Sequence, residues 1–171
     1  MKFEEKQGKG NVVSTKNIAI MAIFIALSAV GAFIKIPSPI GSIGLDSAPG
    51  FFSAIAFGPM IGAVVTAVGH LLSAAVVGFP LTLPIHLLIA VGMGVLAALF
   101  FFIGRRGTLG LLFAIVIVAL LNGFALGLFL LPIGGKALYL SMIVPLLIAA
   151  AVNLIIAGLA YLGLKNSTLI N

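Results

Sequence analysis

The chain has 171 residues, of which 63% are apolar and only 7% charged, with a net charge of +6 and a mean hydropathy of +1.38. A soluble domain carries about 25% charged residues to cover its surface, so this composition excludes a water-soluble globule and predicts an integral membrane protein that crosses the bilayer as α-helices. Cysteine is absent, which excludes disulfides, cysteine-ligated zinc, iron–sulfur clusters and thiolate catalysis.

The chain opens on a polar tail, residues 1–16 (MKFEEKQGKGNVVSTK), which holds both glutamates. No short basic region precedes the first apolar run and no Ala-x-Ala-like site ends it, so that run is expected to be a retained helix. It extends from about Asn17 to Ile36 and stops at Pro37-Ser38-Pro39, where fixed φ angles and missing N–H groups end a helix. Residues Pro37 to Pro49 are rich in Pro, Gly and Ser, hold the only aspartate, Asp46, and suggest an extended external loop.

Gly58-Pro59 divides the next apolar stretch into a short second helix, about Phe51 to Phe57, and a third, about Met60 to Val77. A fourth runs from about Pro84 to Ile103 before Gly104-Arg105-Arg106-Gly107. A fifth covers about Thr108 to Leu131, closed by Pro132-Ile133-Gly134-Gly135, and a sixth about Ala137 to Leu164. The expected fold class is therefore all-α, a compact bundle of six transmembrane helices forming one domain over 17–165, with cytoplasmic tails at 1–16 and 166–171. That arrangement puts Lys2, Lys6, Lys9, Lys16, Arg105, Arg106 and Lys165 on the cytoplasmic side and Lys35 and Lys136 outside, in line with the positive-inside rule. The +6 charge is thus expected to serve topology, with no nucleic-acid partner. β-strand alternation is missing, which argues against a membrane barrel.

Ala19, Ala22, Ala26 and Ala29 recur at three- and four-residue spacing and form a small-residue ridge. The ridge suits either packing inside the subunit or docking of a different membrane subunit. An unpaired polar group in hydrocarbon costs several kcal/mol, so the polar residues within apolar segments either bond between helices or line a polar cleft. His86, Asn122 and Tyr139 fit the cleft; His70 and Asn153 fit packing equally well. Asp46 is either an orienting group for a ligand hydroxyl or amine or a solvated loop carboxylate. Lys35 and Lys136 suit snorkelling to headgroups.

Absent features narrow the function. No acidic residue lies within an expected span, which argues against a carboxylate-based proton or sodium relay there. The Walker A spacing fails, because Gly135-Lys136 is followed by Ala137, and no His-Glu-x-x-His occurs. No enzyme and no resident cofactor is expected. What remains is an outward-facing cleft for an uncharged or weakly charged small molecule.

The first-helix pattern Ala22-Ile23-Phe24-Ile25-Ala26, taken with the apolar pattern after Lys16 and the lack of an intrinsic motor, resembles the substrate-binding S components of energy-coupling-factor vitamin transporters. The resemblance implies an inside N-terminus, an ordered external loop after the first helix, and Ala22 and Ala26 as docking residues for a transmembrane coupling subunit driven by two ATPase subunits, which hydrolyse the ATP. The stretch Ile36 to Ala90 is similar to the subgroup associated with α-ribazole, a dimethylbenzimidazole nucleoside used in building cobalamin; other members take riboflavin, pantothenate, thiamin, folate, biotin or queuosine precursors. The residues expected to serve a ligand of that kind are Phe51, Phe79 and Tyr139 against a flat ring, and Asp46, His86 and Asn122 toward hydroxyls or a ring nitrogen, with Asn153 as a further candidate. The competing classes are a membrane scaffold without ligand and a facilitator that needs no coupling subunit.

Overall fold

The computed structural model describes residues 14–39, 41–168 and 170. The expected N-terminal tail, with Lys2, Lys6 and Lys9, therefore lies outside the described residues as far as Val13, as do positions 169 and 171 of the C-terminal tail.

Helix α1 spans Thr15–Gly31 and is capped by Ser14, whose Oγ accepts from the Asn17 backbone N–H at 3.2 Å. It ends five residues before Ile36 at a close approach: a Cβ on Gly31 would collide with the carbonyl of Leu45. The chain then forms an antiparallel hairpin, β1 (Lys35–Ser38) with β2 (Gly41–Gly44), in which Lys35 faces Gly44 and Pro37 faces Ser42. The expected extended loop is thus corrected to an ordered hairpin. Pro37 is tolerated because a two-stranded ribbon has only edge strands.

Helix α2 covers Ala48–Phe57, and α3 covers Pro59–Val76. Gly58 between them has φ +118°, a conformation that favours glycine, and Pro59 occupies the first turn of α3, where its missing N–H costs nothing. This break falls where Gly58-Pro59 predicts it. Helix α4 runs over Leu83–Gly104. The remaining helical run, α5, is continuous over Gly107–Leu164. It consists of a first arm (Gly107–Leu120), a π-helical turn (Leu121–Ala125), a 3₁₀ stretch (Leu126–Leu130) and a second arm (Leu131–Leu164).

The six separate transmembrane helices expected from sequence are not found. Among the described residues there are five helical segments, and three of them, Pro59–Val76, Leu83–Gly104 and Gly107–Leu164, are long and apolar enough to cross a membrane. Helix α1 has 17 residues and α2 only 10, against the ~20 that a span requires. A kink stands where the break at Pro132-Gly135 is expected: Gly134 (φ −131°, ψ 15°) and Gly135 (φ 62°, ψ −162°) leave helical geometry and interrupt the second arm. The arms lie against each other, since a Cβ on Gly158 would sit 3.3 Å from Ile115.

Helix α2 forms the centre of the molecule. Phe51, Ala54 and Ile55 are fully enclosed and pack with Phe100, Val118 and Leu154 from α4 and both arms of α5. Gly50 and Gly62 let α2 and α3 meet at backbone distance, because a Cβ on either would strike Thr66 or Ala54. Lipid tails are as apolar as leucine, so van der Waals contact between small residues is what holds such helices together. Helix α1 buries only Ser28. The outward residues are large and apolar, Val91 and Leu109 among them. Acyl chains solvate such a surface.

Candidate functional site: a cavity beneath the hairpin

A cavity with ≈ 90 Å³ of space open to water-sized molecules lies between the hairpin and the helices. Ile43 and Gly44 of β2 line it on one side, with Asp46 and Ser47 from the turn into α2. His70 enters from α3, Met93 from α4, Asn122 from the π-helical turn, and Met142 and Asn153 from the second arm of α5. Most of the remaining wall is leucine, isoleucine and alanine, and among the described residues no lysine, arginine, phenylalanine or tyrosine contributes.

Irregular backbone positions these groups. The π-helical turn widens α5 at Asn122, and such bulges occur frequently at functional sites. Asn122 is buried, and its Nδ2 donates to Met93 Sδ at 2.9 Å. The loop that brings Leu81 to the cavity carries Phe79 at φ 51° and Thr82 at φ 72°. Positive φ at two non-glycine residues costs of order 1–3 kcal/mol each, strain that the surrounding packing holds in place.

The polar end of the cavity is a chain of three side chains. Asp46 is 8% exposed, and burial raises its carboxyl pKa to about 6, against the pull of hydrogen bonds from the Ser73 side chain and its own backbone. His70 Nδ1 lies 4.0 Å from Asp46 Oδ2. His70 Nε2 lies 3.2 Å from His86 Nδ1, and His86 Nε2 is buried without a hydrogen-bond partner. Among the described residues no group of three His, Cys, Asp or Glu is placed to hold a metal ion.

Of the residues singled out from sequence, Asp46, Asn122 and Asn153 line the cavity. His86 stands behind the wall and reaches it through His70. Phe79 packs edge-on to His86 with ring centroids 5.6 Å apart. Tyr139 lies behind Gly127, and its hydroxyl donates to the Phe124 carbonyl at 3.3 Å. Phe51 lies in the core, edge-on to Phe100. A flat ring in the cavity would therefore meet Met93, Met142 and aliphatic groups. Met93, Met142, Ile43 and Ser47 had no distinguishing signal in the sequence, and His70 had one only as a polar group inside an apolar helix.

Ala22 and Ala26 are exposed on the outer face of α1, as is Ile23 between them. The ridge thus faces away from the bundle.

A family model described as "ECF transporter, substrate-specific component" matches residues 16–164. The chain belongs to this family. It is therefore an S component, a multi-pass membrane protein of transport and not an enzyme. Its fold is similar to that of a solved protein described as "Structure and mechanism of the S component of a bacterial ECF transporter", with a TM-score of 0.63 and 21% identity over 88% of this chain and 96% of the other. No curated protein matches this S component.

Proposed function

We propose that this S component captures a vitamin or vitamin precursor that is uncharged or weakly basic, with α-ribazole as the leading candidate, and carries it across the membrane together with a transmembrane coupling subunit and two ATPase subunits. The carrying observation is the makeup of the cavity: among the described residues its apolar wall holds one carboxylate, one imidazole and two carboxamides, with no lysine or arginine. A carboxylate ligand such as pantothenate would meet Asp46 without a counter-cation. A nucleoside offers hydroxyl donors to Asp46 and Asn153 and ring-edge groups to Asn122 and His70, while its rings fill space beside Met93 and Met142.

The distribution of charge supports an outward-facing mouth. Arg105 and Lys165 line one depression at the end of α4 and of the second arm of α5, whereas the cavity lies along the first half of α4, with Ile89 and Met93 in its wall. Cations favour the cytoplasmic side, so both termini are assigned to the cytoplasm. The hairpin then covers the mouth from outside. The exposed Ala22 and Ala26 are assigned to docking of the coupling subunit, since small residues let a second helix approach closely.

Purified protein screened by calorimetry against α-ribazole, riboflavin and pantothenate tests the reading. Stoichiometric binding of α-ribazole with no response to pantothenate is expected. No binding across the panel would favour a scaffold, and ligand flux into liposomes holding this chain alone would favour a facilitator.

A further inference from the structure

The hydrogen bond between His70 and His86 imposes a condition on protons. Two imidazole nitrogens 3.2 Å apart require that one carries the hydrogen and the other offers its lone pair. An ionised Asp46 favours the proton on His70 Nδ1, which lies 4.0 Å from the carboxylate. His70 Nε2 is then bare and accepts from His86 Nδ1–H. That leaves His86 Nε2 as a lone pair, in keeping with its position as a buried atom lacking a partner. The three side chains belong to three elements: the turn after β2, α3 and the first turn of α4.

We infer that Asp46, His70 and His86 form a proton-sharing chain in which His86, although outside the cavity, sets the charge that the cavity presents to its ligand. A proton taken at His86 Nε2 is passed along. The Nδ1 proton of His86 moves to His70 Nε2, and, once a side-chain rotation closes the 4.0 Å gap to hydrogen-bond distance, the Nδ1 proton of His70 moves to Asp46. Both imidazoles end neutral with exchanged tautomers, and the carboxylate ends as a carboxylic acid. One proton enters and one negative charge disappears from the cavity wall.

The surroundings leave this exchange unopposed. Asp46 faces His70 and Ser73 of α3; His86 faces His70 and the ring of Phe79. The other polar residues of the wall, Ser47, Asn122 and Asn153, do not titrate. A carboxyl pushed up to about 6 is within reach of such an exchange.

The consequence for the ligand rests on the capture reading above. In the ionised state Asp46 accepts from a ligand N–H or O–H; in the protonated state it does so poorly, and affinity for such a ligand falls up to about tenfold per pH unit below the transition. His86 is thus a positioning residue for specificity.

The test needs no ligand, so its outcome is separate from that of the binding screen. The full chain, labelled with ¹⁵N-histidine in lipid nanodiscs, is followed by NMR from pH 8 to pH 4.5. Bare and protonated ring nitrogens differ in ¹⁵N shift, and a His86→Gln spectrum assigns the two histidines. The expected result is a tautomer exchange: His86 Nε2 gains its proton as His86 Nδ1 loses one, His70 changes at the same midpoint, and Asp46→Asn abolishes the shared transition. Protonation of both nitrogens of His86 as an ordinary imidazolium would overturn the inference. So would a transition whose midpoint is unmoved by Asp46→Asn, or no change in either histidine.

Discussion

Asn153, in the second arm of α5, accepts a hydrogen bond from the backbone N–H of Ala48 at 2.8 Å, across 105 positions of sequence. Its Nδ2 donates to the Ala149 carbonyl at 2.9 Å. Helix α2 lies in the middle of the bundle, and the Ser47 side chain does not cap it. A distant carboxamide therefore satisfies an N–H that water cannot reach, and the same side chain forms part of the cavity wall.

We predict that Asn153→Ala lowers stability by about 1–3 kcal/mol, the cost of a buried donor left unmade. The ligand-free protein in detergent should show a lower Tm. An unchanged Tm would mean that the Ala48 N–H finds another acceptor and that the cap is dispensable.

Stability should also depend on pH through Asp46. Its folded-state pKa, about 6, lies above the ordinary 3.8 because burial penalises the carboxylate. The folded chain then binds this proton more tightly than the unfolded one, so stability falls as pH rises from about 4 to about 6 and levels off above. Asp46→Asn is expected to flatten that part of the curve and to raise the Tm at pH 7.5. A wild-type Tm that climbs over the same interval, with the variant following it, would show that the carboxyl is not desolvated.

Asn122 lines the cavity and its side chain makes one hydrogen bond, to Met93 Sδ. Asn122→Leu should weaken α-ribazole binding by about 10- to 100-fold, or roughly 1.4–2.8 kcal/mol, with little change in the Tm of the empty protein. Calorimetry beside a melting curve separates the two effects; a loss of Tm at unaltered affinity would reassign Asn122 to packing.

Ala22→Leu and Ala26→Leu place bulk on an outward face and fill no internal space. Both variants should fold and bind ligand like wild type while uptake that depends on the coupling subunit is lost. Normal uptake by the double variant would falsify the docking assignment.

Gly62→Ala is expected to cost about 1–3 kcal/mol, because the new methyl group meets the backbone of Ala54, which cannot yield as a side-chain tip would. Gly163, where a Cβ meets nothing within 4 Å, supplies the control. Equal melting temperatures for Gly62→Ala and Gly163→Ala would show that α2 and α3 are less closely opposed than described.

The membrane class, the break at Gly58-Pro59 and the start of α4 within a residue of Pro84 were all legible in the sequence, since hydropathy and missing N–H groups are local properties. The count of spans was not. A helix of 17 residues followed by a hairpin has the same apolar appearance as a longer helix, and α2 has only 10 residues. Asp46 was an open choice between solvent and ligand, because exposure depends on what covers a residue. The structure buries Asp46, beside Ser73.

By itself, the sequence determined that this polypeptide lies in a bilayer and that its few polar side chains must find partners there, because the cost of leaving them unpaired is a property of each residue and its solvent. Only the tertiary structure decided which partners they find. Asp46, His70 and His86 come together, and Asn153 reaches Ala48, through contacts between elements far apart in the chain. Those distances follow from how helices pack, with Gly31, Gly50 and Gly62 at the points of closest approach, and no local pattern of residues encodes them.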